Sequence, residues 1–350
     1  MNWLEGYGIS QIIMVFLFSG AVVWIAGTRL AFLGDELAER LNLTREFIGL
    51  IFLATVTELP EIVTTLTAAR AGNAELVLGN MFGGITMQTA ILAIADIFVV
   101  RYALTSWPRK PNHALVAVML VFLLSALLAS TFIGDRTLVG GVGIAAICLA
   151  MGFPLTVALH RYFDQRTSWV PIDLPDLELD DPKAKREPGK RRELSTGKLI
   201  AEIVLFSLLV LAGGIVLATS ADALSEQTGL GASFVGVALL AAATSLPELS
   251  TTIAAARIGA YTMAIANIFG SNLIMLALIL PADLAYTGGA ILNEATDAAR
   301  FSIATGIMVT SVYIGGILIR RTPRMFGAGL DSWLVLAIYI GSLFALYQMR

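Results

Sequence analysis

Residues 47–72 read FIGLIFLATVTELPEIVTTLTAARAG, and residues 234–259 read FVGVALLAAATSLPELSTTIAAARIG. The two segments start 187 residues apart and agree without a gap at 14 of 26 positions. Chance agreement in so apolar a composition is roughly two to four positions. Outside the two segments, the same offset pairs Asn80 with Asn267, Asp96 with Asp283 and Asp35 with Asp222. The chain therefore contains an internal duplication.

The composition is typical of an integral membrane protein. Hydrophobic residues make up 57% of the 350 residues, charged residues only 14%, and the mean hydropathy is +0.80. Soluble domains carry about 25% charged residues. The single cysteine, Cys148, excludes an internal disulfide. The two histidines, His113 and His160, lie at the ends of predicted spans, so we expect them at the level of the lipid headgroups and expect no His-rich metal site.

The apolar runs predict about ten transmembrane helices, each near the ~20 residues that cross a bilayer. The first run is too long for a signal-peptide core and follows no basic residue, so we interpret it as a retained helix. The predicted spans are about 9–33, 46–69, 75–98, 112–133, 137–160, 198–220, 232–256, 261–285, 299–319 and 329–348.

The longest polar gap, residues 161–197, separates five predicted spans from five. It contains four prolines, an acidic stretch over residues 173–181 and a basic stretch over residues 183–192. Such a composition cannot form a core, so we interpret the gap as a linker. The expected fold class is all-α integral membrane, with two five-helix repeats over residues 1–160 and 198–350. The duplicated parts of these repeats are about 47–96 and about 234–283.

The basic residues predict the orientation of the chain. With the N-terminus outside, 19 of the 23 Lys and Arg residues fall on the cytoplasmic side. This asymmetry predicts that both termini lie outside and that the linker is cytoplasmic. Because each half has an odd number of spans, the second half crosses the membrane in the opposite direction. Such inverted repeats are typical of alternating-access transporters, which bind their substrate at the midplane between the halves.

Each repeat carries a Pro-Glu pair near the middle of a predicted span, at Pro60-Glu61 and at Pro247-Glu248. A charge at that depth costs several kcal/mol unless it is paired, solvated or protonated. Proline removes a backbone donor, and its ring clashes with the carbonyl four residues earlier, which frees that carbonyl from the helix. We therefore expect Glu61 and Glu248 to be functional.

Further oxygen donors accompany the two glutamates. The hydroxyls of Thr57 and Thr244 precede them, and the amides of Asn80 and Asn267 follow in each repeat, where they can supply an oxygen or support the glutamates. Carboxylates, hydroxyls and freed carbonyls make an oxygen-only shell. Such a shell suits Ca²⁺, Na⁺ or Mg²⁺ and disfavours softer metals.

The segments Thr244-Ser-Leu-Pro-Glu248 and Asn267-Ile-Phe-Gly-Ser-Asn272 resemble the signature of the alpha repeats of the calcium/cation antiporter superfamily, in particular its sodium/calcium exchanger family. The resemblance covers both repeats, and the layout of ten spans extends it over the chain. It implies that cations are bound by the side chains of Glu61, Glu248, Thr57, Thr244, Ser245 and Ser271 and by the backbone carbonyls of Ala54 and Ala241.

The chain departs from the family pattern at four positions. Gly84, Gln88 and Met275 stand where the family has further ligands, and Glu58 stands where a serine is usual. A carboxylate is thus lost at position 275 and gained at position 58, so we include Glu58 and Gln88 in the predicted site. For Gln88 a helix-packing amide is the alternative. Glu58 and Glu61 are one helical turn apart and can repel each other, which favours coupling to protons.

The leading hypothesis is a secondary antiporter that exchanges Ca²⁺ for Na⁺ or H⁺ across the cell (inner) membrane. An antiporter for Na⁺/H⁺ or Mg²⁺ on the same fold, or a cation channel, stays open as an alternative. An intramembrane enzyme is disfavoured because the sequence offers no catalytic dyad or usable His or Cys. We expect no cofactor besides the transported cations. The expected partners are membrane lipid and inorganic cations, with no nucleic acid and no obligate protein partner.

Overall fold

The structure is a computed structural model that describes residues 4, 6–99, 102–108, 110–137, 141–164, 195–228, 242–320 and 322–349. The helices in chain order are α1 (Ile9–Leu41), α2 (Arg45–Phe47), α3 (Ala54–Thr57), α4 (Leu59–Arg70), α5 (Ala74–Val99), α6 (Asn112–Ile133), α7 (Ile144–Asp164), α8 (Thr196–Gln227), α9 (Leu246–Arg257), α10 (Tyr261–Ala285), α11 (Asp297–Ile319) and α12 (Leu330–Gln348). A π-helix, Ile48–Leu53, joins α2 to α3, and short 3₁₀ turns occupy Leu104–Ser106 and Ile291–Glu294. Strand β1 (Arg324–Met325) pairs antiparallel with β2 (Ala328–Gly329).

Eight of these helices are long and apolar enough to cross a membrane: α1, α5, α6, α7, α8, α10, α11 and α12. A ninth span is formed if Arg45–Thr57 and Leu59–Arg70 are taken together, with a bend of 48° between them. The multi-pass helical architecture predicted from the sequence is therefore confirmed. Of the predicted span 232–256, only residues 242–256 are among those described, and most of the predicted linker lies outside them.

Two helices are longer than predicted. α1 has 33 residues and α8 has 32, whereas the sequence predicts spans of about 9–33 and 198–220. α1 continues through polar residues until Asn42, which has the left-handed φ of 53° that asparagine tolerates better than most residues. These extensions carry polar residues beyond the apolar stretches that the hydropathy pattern detects.

The helices α5 and α10 form the centre of the fold. In the apolar window of α10, 83% of the residues are buried, and in that of α5 67%, compared with 22% in α1, α8 and α12. α10 crosses the π-helix closely at Gly270, where a side chain would collide with the carbonyl of Leu50 and the Cβ of Ala54. The small residues of this segment therefore bring α10 against the broken span, as the sequence predicts.

Two aspartates fasten the ends of the central helices to the connections that follow. The carboxylate of Asp96 accepts hydrogen bonds from the backbone N–H groups of Leu104 (2.8 Å) and Gly329 (2.7 Å). The carboxylate of Asp283 likewise accepts from those of Ile291 and Gly143, both at 2.6 Å. In both halves, the partner that is closer in the sequence lies eight residues after the aspartate.

The two histidines are buried at helix ends. Both His113 and His160 are 1% exposed, and their imidazoles lie against the carboxylate of Glu46. The sequence shows only that each residue lies at the end of a span. It does not show that three separate helix ends meet there.

Candidate cation-binding site

The site begins where two helices are interrupted. α3 ends at Thr57, Glu58 forms the turn, and α4 begins with Pro60 in its first turn. In the second half, residues 242–244 are helical, Ser245 forms the turn, and α9 begins with Pro247 in its first turn. Because proline cannot donate a backbone hydrogen bond, each helix is interrupted there. Glu61 and Glu248 thus both lie in the first turn of a helix, where the helix dipole favours a negative charge.

Three carboxylates meet between the two interrupted helices. Glu58, Glu61 and Glu248 each contribute one carboxylate oxygen to a group whose atoms all lie within 4.8 Å of one another. Their side chains are buried, with exposed fractions of 0%, 2% and 0%. The cluster joins residues that are 187 positions apart in the chain. The predicted pair of glutamates therefore lies together, with Glu58 as a third member.

The carboxylate oxygens have few partners inside the protein. Both oxygens of Glu61, both of Glu248 and Oε2 of Glu58 are buried and accept no hydrogen bond from the described residues. Buried carboxylates in this state are very costly unless a cation or protons compensate them. Since all the atoms that could coordinate an ion are oxygens, the cluster is chemically suited to a hard cation such as Ca²⁺ or Na⁺.

Hydroxyl groups lie beside the carboxylates. The Oγ1 atom of Thr57 is 3.5 Å from Oγ of Ser271, which links the two halves, and donates to the carbonyl of Ala54 at 3.3 Å. Thr244 and Ser245 are buried at the second helix break. Ala54 is fully buried, and the predicted ligand Ala241 lies outside the described residues.

The amide side chains have different surroundings. Nε2 of Gln88 donates a hydrogen bond of 2.6 Å to Oε1 of Glu58. Asn267 is buried and donates to the hydroxyls of Thr251 (3.1 Å) and Thr252 (3.2 Å). These contacts do not include a glutamate, so Asn267 is positioned by α9 rather than by the carboxylate cluster.

Asn272 also joins the two halves, because its amide donates to the hydroxyl of Thr89 at 3.0 Å. Asn272 is not among the predicted site residues, although it is the last residue of the motif that begins at Asn267.

The two halves differ at the third carboxylate. At the offset of 187 residues, Glu58 and Gln88 correspond to Ser245 and Met275. Met275 is fully buried, and its Cε lies 3.0 Å from where a Cβ at Gly84 would stand, so Gly84 leaves room for it. The acid and the amide that holds it thus belong to the first half, whereas the second half has a hydroxyl and a thioether.

A cavity of ≈ 340 Å³ borders the site. The described residues that line it include Thr64, Thr65, Asn80, Asp222 and Thr244. The residues that correspond to these five at the offset of 187, namely Thr251, Thr252, Asn267, Asp35 and Thr57, are all 0% exposed. Thr64, Asn80 and Asp222 are therefore more exposed than their counterparts, whereas Thr65 and Thr244 are buried as theirs are.

These features define a polytopic helical membrane protein with a buried cluster of carboxylates between two interrupted helices. The family model described as "Sodium/calcium exchanger protein" matches residues 11–159 and 198–348. The match covers most of the chain, and the chain belongs to the sodium/calcium exchanger family.

Similar proteins agree with this assignment. The chain is 26% identical over 340 residues to the "Putative antiporter CaxA" of Alkalimonas amylolytica, a match that covers 95% of this chain and 98% of that protein. It is 24% identical over 331 residues to the "Inner membrane protein YrbG" of Escherichia coli, covering 91% and 94%. The solved structure of the sodium-calcium exchanger NCX_Mj, soaked with Na⁺ and Sr²⁺, superposes with a TM-score of 0.70 at 18% identity, covering 97% and 99%. The last comparison establishes the common fold.

The difference in exposure between Thr64 and Thr251 predicts unequal reactivity of these two corresponding residues. In a Cys148→Ala background, Thr64→Cys should react rapidly with a membrane-impermeant thiol reagent added from the cavity side. Thr251→Cys should be protected from reagent on both sides, because Thr251 is fully buried. The measurement is the labelling rate in right-side-out and inverted vesicles held in one ionic condition. Equal rates for the two variants would contradict the asymmetry.

Proposed function

We propose that the chain is a secondary active antiporter that carries Ca²⁺ in exchange for Na⁺ or H⁺ and binds these cations at Glu58, Glu61 and Glu248. The proposal rests above all on one observation: three buried carboxylates from both halves converge with five oxygens that lack a protein donor among the described residues. It is supported by membership of the sodium/calcium exchanger family. Thr57, Thr244, Ser245, Ser271 and the carbonyls of Ala54 and Ala241 complete the proposed oxygen shell. Gln88, Asn80 and Asn267 support it.

The charge of the cluster supports a coupled exchange. Three ionised carboxylates exceed the charge of one divalent cation, so a bound Ca²⁺ leaves one negative charge that a proton or Na⁺ can balance. When the divalent ion leaves, the buried carboxylates again need compensation, and the counter-ion supplies it. A site of this kind favours exchange over the release of one ion alone.

We further propose that the membrane domain consists of two inverted five-helix repeats, residues 1–160 and 198–350, joined by a cytoplasmic linker over residues 161–197. The corresponding helix breaks and the corresponding bonds of Asp96 and Asp283 support the repeat. The strong bias of Lys and Arg supports an orientation with both termini outside the cell membrane. In that orientation the open cavity faces outward.

Alternating access in this chain is supported by a difference in how two corresponding helices contact the rest of the protein. A side chain at Gly27 of α1 would collide with Ser250 of α9, whereas a side chain at Gly214 of α8 would collide with Pro60 of α4. Gly27 corresponds to Gly214, but Ser250 corresponds to Val63, three residues beyond Pro60. If the two halves exchange these contacts, α1 and α8 slide along the core by about three residues, or about 4.5 Å. The slide would close the present cavity and open its counterpart.

The transport proposal is tested with ⁴⁵Ca²⁺ uptake into proteoliposomes that carry outward Na⁺ or H⁺ gradients, imposed separately. One gradient should drive uptake, and Glu61→Gln and Glu248→Gln should each reduce it to background because each removes a charge from the buried cluster. Glu75→Gln, which alters an exposed acid of α5, is the matched control and should retain uptake.

Calcium entry without a counter-gradient would indicate a channel. A failure of both gradients to move calcium would make Na⁺/H⁺ or Mg²⁺ exchange the leading interpretation.

The slide predicts that tethering α1 to α9 stops transport. In a Cys148→Ala background, Gly20→Cys and Leu246→Cys should form a cross-link, because the Cβ position of Gly20 is 3.6 Å from Cδ2 of Leu246. Cross-linking should abolish uptake and reduction should restore it. The control pair is Gly306→Cys and Leu124→Cys, which are similarly close but join α11 to α6 within the core. Full transport by the cross-linked α1–α9 variant would contradict the slide.

A further inference from the structure

The two histidines of the chain both contact one glutamate, Glu46, which is not among the proposed cation ligands. Nε2 of His160 in α7 lies 2.8 Å from Oε1 of Glu46 in α2, and Nδ1 of His113 in α6 lies 3.5 Å from the same oxygen. His113 and His160 are 1% exposed and Glu46 is 7% exposed. These three residues, which we call the His-Glu-His cluster, belong to three different helices and lie on the side of the membrane where α7 leads into the linker.

The charged groups around the cluster are otherwise paired or stacked. Among the described residues they are Lys110 and Asp164, which pair at 2.5 Å; Arg161, whose guanidinium lies over the ring of Phe47; Arg45 and Asp35, which pair at 2.6 Å; and Glu36 and Arg40, which pair at 2.5 Å. α10, which also packs against α2 and α7, carries Tyr261 as the titratable side chain of this end, and Asp283 near its other end. The charge of Glu46 is therefore compensated mainly by the two imidazoles.

The cluster has a definite place for an additional proton. If both imidazoles are neutral and direct their inner N–H groups at Glu46, the cluster carries one buried negative charge. The outer nitrogens, Nε2 of His113 and Nδ1 of His160, have no hydrogen-bond partner among the described residues, and the inner Nε2 of His160 lies 2.8 Å from Oε1 of Glu46 without the alignment of a hydrogen bond. One proton on an outer nitrogen makes the cluster neutral, whereas a second makes it positive beside Arg45 and Lys110. Histidine is the side chain that ordinarily changes charge between about pH 5 and about pH 8.

The position of the cluster connects it to the proposed transport site. Glu46 lies in α2, and the same chain segment continues through the π-helix to Glu58 and Glu61. The neighbouring residue, Arg45, holds the fully buried Asp35 of α1, the helix proposed to slide. A displacement of α2 therefore reaches both the carboxylate cluster and the sliding helix.

We propose that Glu46, His113 and His160 form a second proton-binding site, outside the transport site, that controls exchange from the linker side of the membrane. This proposal rests on the proposed transport function for its effect, although not for the binding of the proton. With one shared proton the cluster fastens α2 to α6 and α7. A second proton, bound on acidification, places two imidazolium groups beside each other, pushes these helix ends apart and slows exchange.

The proton-binding part is tested by NMR of protein labelled with ¹³C and ¹⁵N at histidine. A chain with two histidines gives two imidazole signals, and His113→Gln assigns them. The two imidazoles should titrate as a coupled pair, and the nearly isosteric Glu46→Gln should move both midpoints to lower pH because it removes the negative charge. Independent titrations that Glu46→Gln leaves unchanged would overturn the shared proton site.

The regulatory part is tested by exchange of ⁴⁵Ca²⁺ for unlabelled Ca²⁺ in proteoliposomes with equal Ca²⁺ and equal pH on both sides. This exchange needs no counter-ion gradient. Wild-type exchange should fall at least about threefold from about pH 7.5 to about pH 5.5, with a step at the NMR midpoint of the second proton. The double variant His113→Gln/His160→Gln should exchange calcium at neutral pH and lack that step. Any pH dependence that comes from the transport site itself should be seen in both the wild type and the double variant.

The outcomes separate the two proposals. A wild-type pH profile in the double variant would overturn regulation by the cluster even if the NMR titrations are coupled. Absence of calcium exchange at every pH would count against the proposed calcium transport, and the NMR titrations would still decide whether the cluster binds a shared proton. If the double variant does not fold, His160→Gln alone removes the closer imidazole and should shift the step.

Discussion

The structure depends on keeping three carboxylates in the middle of an apolar protein. Glu58, Glu61 and Glu248 are buried where water cannot compensate them, and most of their oxygens lack a donor among the described residues. Such an arrangement is tolerable only when a cation or protons occupy the cluster. Because the compensating charge must come from outside the protein, the proposed binding and release of cations follow from the same constraint that makes the cluster costly.

The helix breaks let the fold meet this constraint. A continuous helix would satisfy its own carbonyls and turn successive side chains around its axis. Pro60 and Pro247 instead restart a helix in mid-span, so that Glu61 and Glu248 lie in first turns near the free N–H groups. The central helix α10 approaches this region closely because Gly270 has no side chain. The close packing around the site thus brings together two segments that are far apart in the sequence.

Much of this arrangement could be predicted from the sequence because it depends on local signals. The Pro-Glu pairs, the apolar runs and the offset of 187 residues are all visible in the amino-acid sequence, and together they predict that Glu61 lies beside Glu248. The bond from Gln88 to Glu58 spans 30 residues and depends on how α5 packs. The His-Glu-His cluster joins residues 67 and 47 positions apart at three helix ends, and no periodicity relates them. The ends of α1 and α8 were missed because hydropathy does not register polar helical turns.

The differences between the halves are as informative as their likeness. Thr64, Asn80 and Asp222 line a cavity, whereas their counterparts Thr251, Asn267 and Asp35 are fully buried, as expected if the proposed repeats alternate between two conformations. The third carboxylate differs in chemistry, since Glu58 and Gln88 correspond to Ser245 and Met275. The difference in exposure should reverse when the protein changes conformation. The chemical difference should persist, so the third carboxylate always lies on the side of the first half.

The most direct test of the account is an anomalous-scattering map of crystals of the protein grown with Sr²⁺, a heavier stand-in for Ca²⁺. A cation site formed by Glu58, Glu61 and Glu248 should give a strong peak within about 2.3–2.7 Å of carboxylate oxygens from all three residues. The peak should disappear in crystals of Glu61→Gln that diffract equally well. Well-ordered wild-type crystals with no peak between the three glutamates, or with strontium bound only elsewhere, would contradict the central claim that this cluster is the cation site.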